Sequence, residues 1–149
     1  MPMQQVERTA AGVQDLIDDF ELLGDWEERY RYIIELGRSL APLTDEEHSA
    51  VNKVEGCASQ VWLVCDKLEA DHGKVVLRFR GDSDAHIVRG LIAVLLRIVS
   101  DRTPAEILDS DIDAAFAGLG LRAHLTPQRS NGVSAMIRRI KDFAARHAT

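Results

Sequence analysis

Residues 59–80, SQVWLVCDKLEADHGKVVLRFR, hold two β-forming runs joined by turn chemistry. The first, Ser59 to Lys67, carries Val61, Trp62, Leu63, Val64 and Cys65. The second, Lys74 to Arg80, sets Val75, Leu77 and Phe79 against Val76, Arg78 and Arg80, the two-residue period of a half-buried strand. Asp71-His72-Gly73 between them suits a tight reversal, so the two runs predict a β-hairpin. Asn52-Lys53-Val54 is a candidate third strand. The expected fold class is therefore α+β, a small antiparallel three-stranded sheet with helices packed on it.

Helical spacing flanks the hairpin on both sides. Val13, Leu16, Ile17 and Phe20 recur at i, i+3, i+4 and i+7, with Gly24 placed to end the helix. Asp25 and Glu28 form a capping start, followed by Trp26, Tyr30, Ile33, Ile34 and Gly37 on one face up to Pro42. Together these predict an antiparallel helical pair. After the hairpin, Asp82 or Ser83 is expected to cap a helix running to about Val99. Its Ile87, Leu91, Ile92, Val94, Leu95 and Ile98 are apolar nearly all round, which marks a buried central helix. Thr103, Pro104 and Glu106 start a short helix that pieces of 111–119 extend. Val133, Met136, Ile137, Ile140, Phe143 and Ala144 mark a last helix after Ser130-Asn131-Gly132.

At 149 residues, with no linker or repeat, the chain reads as one domain, with about 1–10 and 146–149 as flexible ends. Eighteen basic and twenty-four acidic side chains give a net charge of -6, which argues against nucleic acid as a partner. The apolar stretch at 91–99 is broken by Arg97 and is shorter than the roughly 20 residues of a membrane span. The first residues lack the pattern of a secretory signal, so a cytoplasmic location is expected and both cysteines are expected to stay reduced. Charge is uneven: residues 11–28 hold seven acids and no base, and residues 122–149 hold six bases and one acid. Two solvated helix faces explain this; a docking surface is the alternative.

Chemistry concentrates on one thiol. Cys57 stands in Val54-Glu55-Gly56-Cys57-Ala58-Ser59-Gln60, where a glycine bend feeds a strand and a side chain can reach a partner. Cys65, mid-strand among Leu63, Val64 and Leu68, reads as core filler, and so does Trp62. Asp82-Ser83-Asp84 is better explained as a helix start than as a catalytic cluster. Arg129 either shapes a pocket or, more simply, makes a salt bridge fixing the last helix. His48, His72, His86, His124 and His147 show no zinc spacing, although one of them can in principle meet Cys57 in space as a dyad.

Three segments in order, Lys53 to Leu63, Gly81-Asp82-Ser83-Asp84-Ala85-His86-Ile87-Val88-Arg89-Gly90-Leu91-Ile92-Ala93, and Leu125 to Gly132 with Met136, resemble the SufE family of cysteine desulfuration proteins. The resemblance runs from about Val13 to Phe143. It departs at Ala58, where the family commonly has glutamine, and at Arg89, where it commonly has lysine. It implies a fold shared with the IscU/NifU-type scaffolds, and a persulfide carried on Cys57. It also nominates Gly56, Ser59, Gln60, Asp82 and Arg129 for the loop, pocket or docking surface around the thiol.

The implied function is that of a sulfur acceptor. It takes persulfide sulfur from a cysteine desulfurase of SufS type or related, stimulates that enzyme, and passes the sulfur on to a downstream scaffold complex for iron-sulfur cluster assembly. On this reading the chain is a stoichiometric transfer protein needing no metal or cofactor, and pyridoxal phosphate belongs to the partner desulfurase. Two other readings compete: a cysteine-nucleophile transferase or hydrolase using Cys57 with a neighbouring histidine, and an iron-sulfur scaffold. The scaffold has too few soft ligands in two cysteines.

Overall fold

Strand β1 (Val61–Glu69) pairs antiparallel with β2 (Val75–Ser83), from Val61 opposite Ser83 to Glu69 opposite Val75. The computed structural model describes residues 14–148. The reversal falls at Asp71–Gly73, where the composition predicts a turn, and is a 3-10 turn in which His72 and Gly73 both take positive φ. Alternation then sorts the faces. Val61, Leu63, Leu77 and Phe79 are buried, while Arg78 and Arg80 point away from the core.

The expected third strand is reduced to a single bridge. Val54 donates its N–H to Val61 O at 2.8 Å and Leu63 donates to Asn52 O at 2.9 Å, with Lys53 facing Trp62 between them. The turn at Glu55-Gly56 then carries the chain out of the ladder, so among the described residues the sheet has two strands.

Helix α1 covers residues 14–22, and α2 is Trp26–Arg38. Asp25 caps α2 by accepting from Glu28 N, while the Glu28 carboxylate reaches back to Gly24 N–H. Arg29 Nε donates to Phe20 O at 3.0 Å, and the Phe20 and Tyr32 rings meet edge to face, which ties the helical pair together. Val13 and the expected flexible start at 1–10 lie outside the described residues.

Helix α3 (His86–Val99) is the centre of the core, packed against β2, α2, α5 and α6. Its Leu91, Ile92 and Leu95 are essentially solvent-free, each contributing roughly 1.5–3 kcal/mol of burial. The expected cap is wrong. β2 continues through Ser83, Ala85 occupies the N-cap without a side-chain bond, and the Asp82 carboxylate is taken by His48 and Arg89 instead.

Helix α4 (Pro104–Asp109) starts with the full capping box, Thr103 and Glu106 each bonding the other's backbone. Helix α5 (Ile112–Ala117) is capped by Asp111. Helix α6 (Pro127–Arg146) begins a turn earlier than its apolar spacing suggests, because Thr126 caps Arg129 N and Pro127 occupies the first position. Gly132 therefore lies inside the helix. No helix among the described residues is long and apolar enough to cross a membrane.

Candidate functional site

The Val54–Val61 hydrogen bond closes a loop of residues 55–60 with Cys57 near its tip. Gly56 makes the turn at φ 91°, a left-handed conformation that glycine adopts without a Cβ clash. Gln60 holds the far end: its N–H donates to Asp84 Oδ1 at 3.1 Å, and Asp84 N–H returns to Gln60 O at 3.4 Å. At the tip, the Cys57 thiol donates to Gly132 O on α6, Sγ to O 3.6 Å. Gly132 packs directly against the thiol, since a Cβ there would stand 3.5 Å from Cys57 Sγ, an ordinary contact distance.

Cys57 opens into a cleft of about 350 Å³ between β1, α3 and α6. Val61, Val88, Leu91 and Met136 form its apolar part, and Ser59, Thr126 and Arg129 its polar side. Among the described residues Arg129 is the one charged residue of the lining, and no acid or histidine lines it. The expected salt bridge from Arg129 to the fold is absent; among the described residues its guanidinium has no hydrogen-bond or ion-pair partner. Burial pushes the Cys57 thiol pKa up, and the neighbouring Glu55 carboxylate adds to the shift. The resting side chain is a neutral thiol.

Charged side chains fix the segment that leads into this loop. Glu47 binds Arg80 bidentately, at 2.9 and 2.6 Å, and Arg80 Nε donates to Asp66 Oδ2 at 2.8 Å. The Arg80 hydrogen bonds hold the Glu47 carboxyl down at about 2, against an ordinary 4.5. Because the folded value is depressed, the stabilisation is complete above the ordinary value and is lost as pH falls from 4.5 toward 2. Glu47→Gln is therefore expected to lower stability in urea titrations at pH 7 and to leave little difference from the wild type near pH 2. His48 lies beside this clamp, with Nδ1 2.9 Å from Thr44 O and Nε2 2.8 Å from Asp82 Oδ2. Both partners are acceptors, so the doubly protonated ring satisfies both contacts, and the Asp82 hydrogen bond raises the His48 pKa.

Cys57, Ser59 and Arg129 meet at the cleft. Gly56 shapes the turn and Gln60 pins the loop. Asp82 stands apart from the lining, on the His48 and Arg89 side. Trp62, expected in the core, is only half-buried and lies edge-on to His48, with centroids 4.7 Å apart. Cys65 is half-buried against the core, and burial pushes its thiol pKa up to about 11. Spacing alone missed Gly132 and Arg122. The apolar spacing puts Gly132 before the last helix; it stands inside α6, and its carbonyl accepts from the thiol. Arg122 bonds Ser130 O and Oγ and Asp113, securing the first turns of α6. Among the described residues no group of three or more His, Cys, Asp or Glu side chains is placed to hold a metal ion.

Residues 14–144 match the family described as SufE, Fe-S metabolism associated domain. An uncharacterized SufE-like protein of Rhizobium etli is 48% identical over 134 residues, covering 90% of each chain. Another, from Rhizobium meliloti, is 48% identical over 132 residues, covering 89% of this chain and 94% of that protein. The solution structure of a hypothetical protein from Thermus thermophilus superposes with a TM-score of 0.69 at 19% identity, over 92% of this chain and 96% of the other, which supports the fold alone. A loop cysteine held over a cleft, in a chain matched over nearly its whole length, places this protein in the SufE family of Fe-S metabolism proteins.

Proposed function

We propose that this protein accepts sulfur from a cysteine desulfurase as a persulfide on Cys57 and passes it on for iron-sulfur cluster assembly. The observation that supports this most is the Cys57 thiol opening into a cleft whose one charged lining residue, Arg129, has no partner among the described residues. Cys57 thiolate attacks the outer sulfur of the desulfurase persulfide. The bond between the two donor sulfurs breaks, and the desulfurase cysteine leaves as thiolate, so no oxidant or reductant is consumed.

The product is an anion, and the cleft suits it. Arg129 supplies positive charge, while Met136, Val61 and Leu91 surround a polarizable sulfur with apolar surface. Because burial and Glu55 keep the resting thiol protonated, the free protein is a poor nucleophile, and contact with the desulfurase must raise the thiolate fraction. Pyridoxal phosphate chemistry stays with the partner, and this chain acts as a stoichiometric carrier and activator.

The test is desulfurase turnover of cysteine to alanine with and without this protein. Added wild-type protein is expected to raise turnover in proportion to its concentration until saturation; no rise at any concentration refutes the reading. Arg129→Gln is expected to lower the stimulation about tenfold through loss of one charge contact. Its stability should stay within about 0.5 kcal/mol of wild type by urea titration, because Arg129's guanidinium holds nothing in the fold.

A further inference from the structure

We infer that the contact between the Cys57 thiol and the Gly132 carbonyl is a latch that reads the chemical state of the sulfur, holding the loop closed when it is a neutral thiol and releasing it when it becomes an anion. The inference rests on Cys57 being the sulfur-bearing residue and adds how loading changes the loop. A thiol can donate to a carbonyl; a thiolate or a deprotonated persulfide can only accept. At Sγ, 3.6 Å from Gly132 O, a thiolate would face the negative end of a carbonyl with no proton between them, and a persulfide, its charge on the terminal sulfur, has no proton at Sγ to give.

Little else holds the tip. Among the described residues, the thiol supplies the one hydrogen bond that ties residues 55–59 to another element of the fold, since the flanking bonds belong to Val54 and Gln60. Gly132 lies in packing contact with Cys57, since a Cβ there would meet Sγ, Cα and Cβ of Cys57 at 3.5 to 3.8 Å, ordinary van der Waals distances.

The two charges near the sulfur act in opposite senses, Glu55 against an anion at the thiol's resting place and Arg129 for an anion elsewhere in the cleft. Glu55, two residues away on the same loop, disfavours an anion where the thiol sits. The β1 and α3 walls, Val61, Val88 and Leu91, are uncharged, and α6 contributes the partnerless Arg129 to the cleft. A persulfide is a stronger acid than its parent thiol, so adding sulfur at neutral pH replaces a donor with an anion. Atoms balance simply: the thiol proton leaves to solvent during transfer, and the terminal sulfur carries the charge. Loading thus undoes the latch and frees the loop tip from Gly132, with Arg129 and the apolar lining still at hand for the anion, whereas an empty carrier stays latched.

Amide hydrogen exchange of residues 55–60, read by mass spectrometry, tests this in two arms. In the first, full-length protein loaded at Cys57 with inorganic polysulfide is compared at pH 7 with the reduced protein. Exchange in the loop is expected to rise about fivefold, the effect of one lost hydrogen bond, with α3 and α6 unchanged. In the second, the pH of unloaded protein is raised through the thiol titration, with exchange corrected for its intrinsic pH dependence. Wild-type loop protection should fall, while Cys57→Ser, whose hydroxyl remains a donor throughout, should stay level.

Equal or slower loop exchange in the loaded protein overturns the latch, as does loss of protection in Cys57→Ser parallel to wild type. Neither arm uses the desulfurase. Failure of the latch therefore leaves the carrier reading standing, and failure of desulfurase loading leaves the pH arm interpretable.

Discussion

Cys57→Ser is expected to abolish sulfur loading and desulfurase stimulation, by at least about 100-fold, while leaving the fold intact. Serine keeps the hydrogen bond to Gly132 O available and changes one atom of a half-buried side chain, so stability should move by no more than about 1 kcal/mol. A hydroxyl at neutral pH has neither the acidity nor the softness to attack a persulfide sulfur. Cys65→Ser makes the contrast. Its thiol lies against the core with its pKa pushed up to about 11, so sulfur transfer should persist in that variant. Urea titration and desulfurase kinetics on the two variants separate loss of chemistry from loss of fold.

Gly90→Ala is expected to give the largest loss of stability, about 3 kcal/mol. A Cβ at Gly90 would stand 2.2 Å from Ile33 O and 2.7 Å from Ile33 C, both backbone atoms of α2. The facing glycine leaves no alternative, since a Cβ on Gly37 would lie 2.6 Å from Gly90 N. Alanine's better helix propensity, about 1 kcal/mol, opposes the loss but is smaller than the cost of forcing two helices apart. The measurement is the urea midpoint at constant m-value; a midpoint at or above that of wild type would show that α2 and α3 are not packed this closely.

These two sites also show what a linear chain reveals. The Cys57 bend and the Thr103, Pro104 and Glu106 start of α4 were legible because their partners lie within a few residues. The hairpin was legible from its two-residue period and the turn at Asp71–Gly73. The cap expected from Asp82 or Ser83 failed because Asp82 is claimed by His48, 34 residues earlier, a partner that local spacing does not display. The third strand failed because a single bridge between Lys53 and Trp62 needs the ladder to continue past Val54, and Gly56 turns the chain away. Arg129 suited a salt bridge by type, yet no acid of the described fold reaches it; only the assembled cleft shows its charge unopposed. Gly132 was hidden by the same limit, since its carbonyl meets a thiol 75 residues away.

The most direct measurement is peptide mapping by mass spectrometry after incubating the protein with a cysteine desulfurase and cysteine. One added sulfur, removable by reductant and located on the peptide containing Cys57, is the expected result. Sulfur located on Cys65, or none on this chain while the desulfurase itself is loaded, would contradict the account.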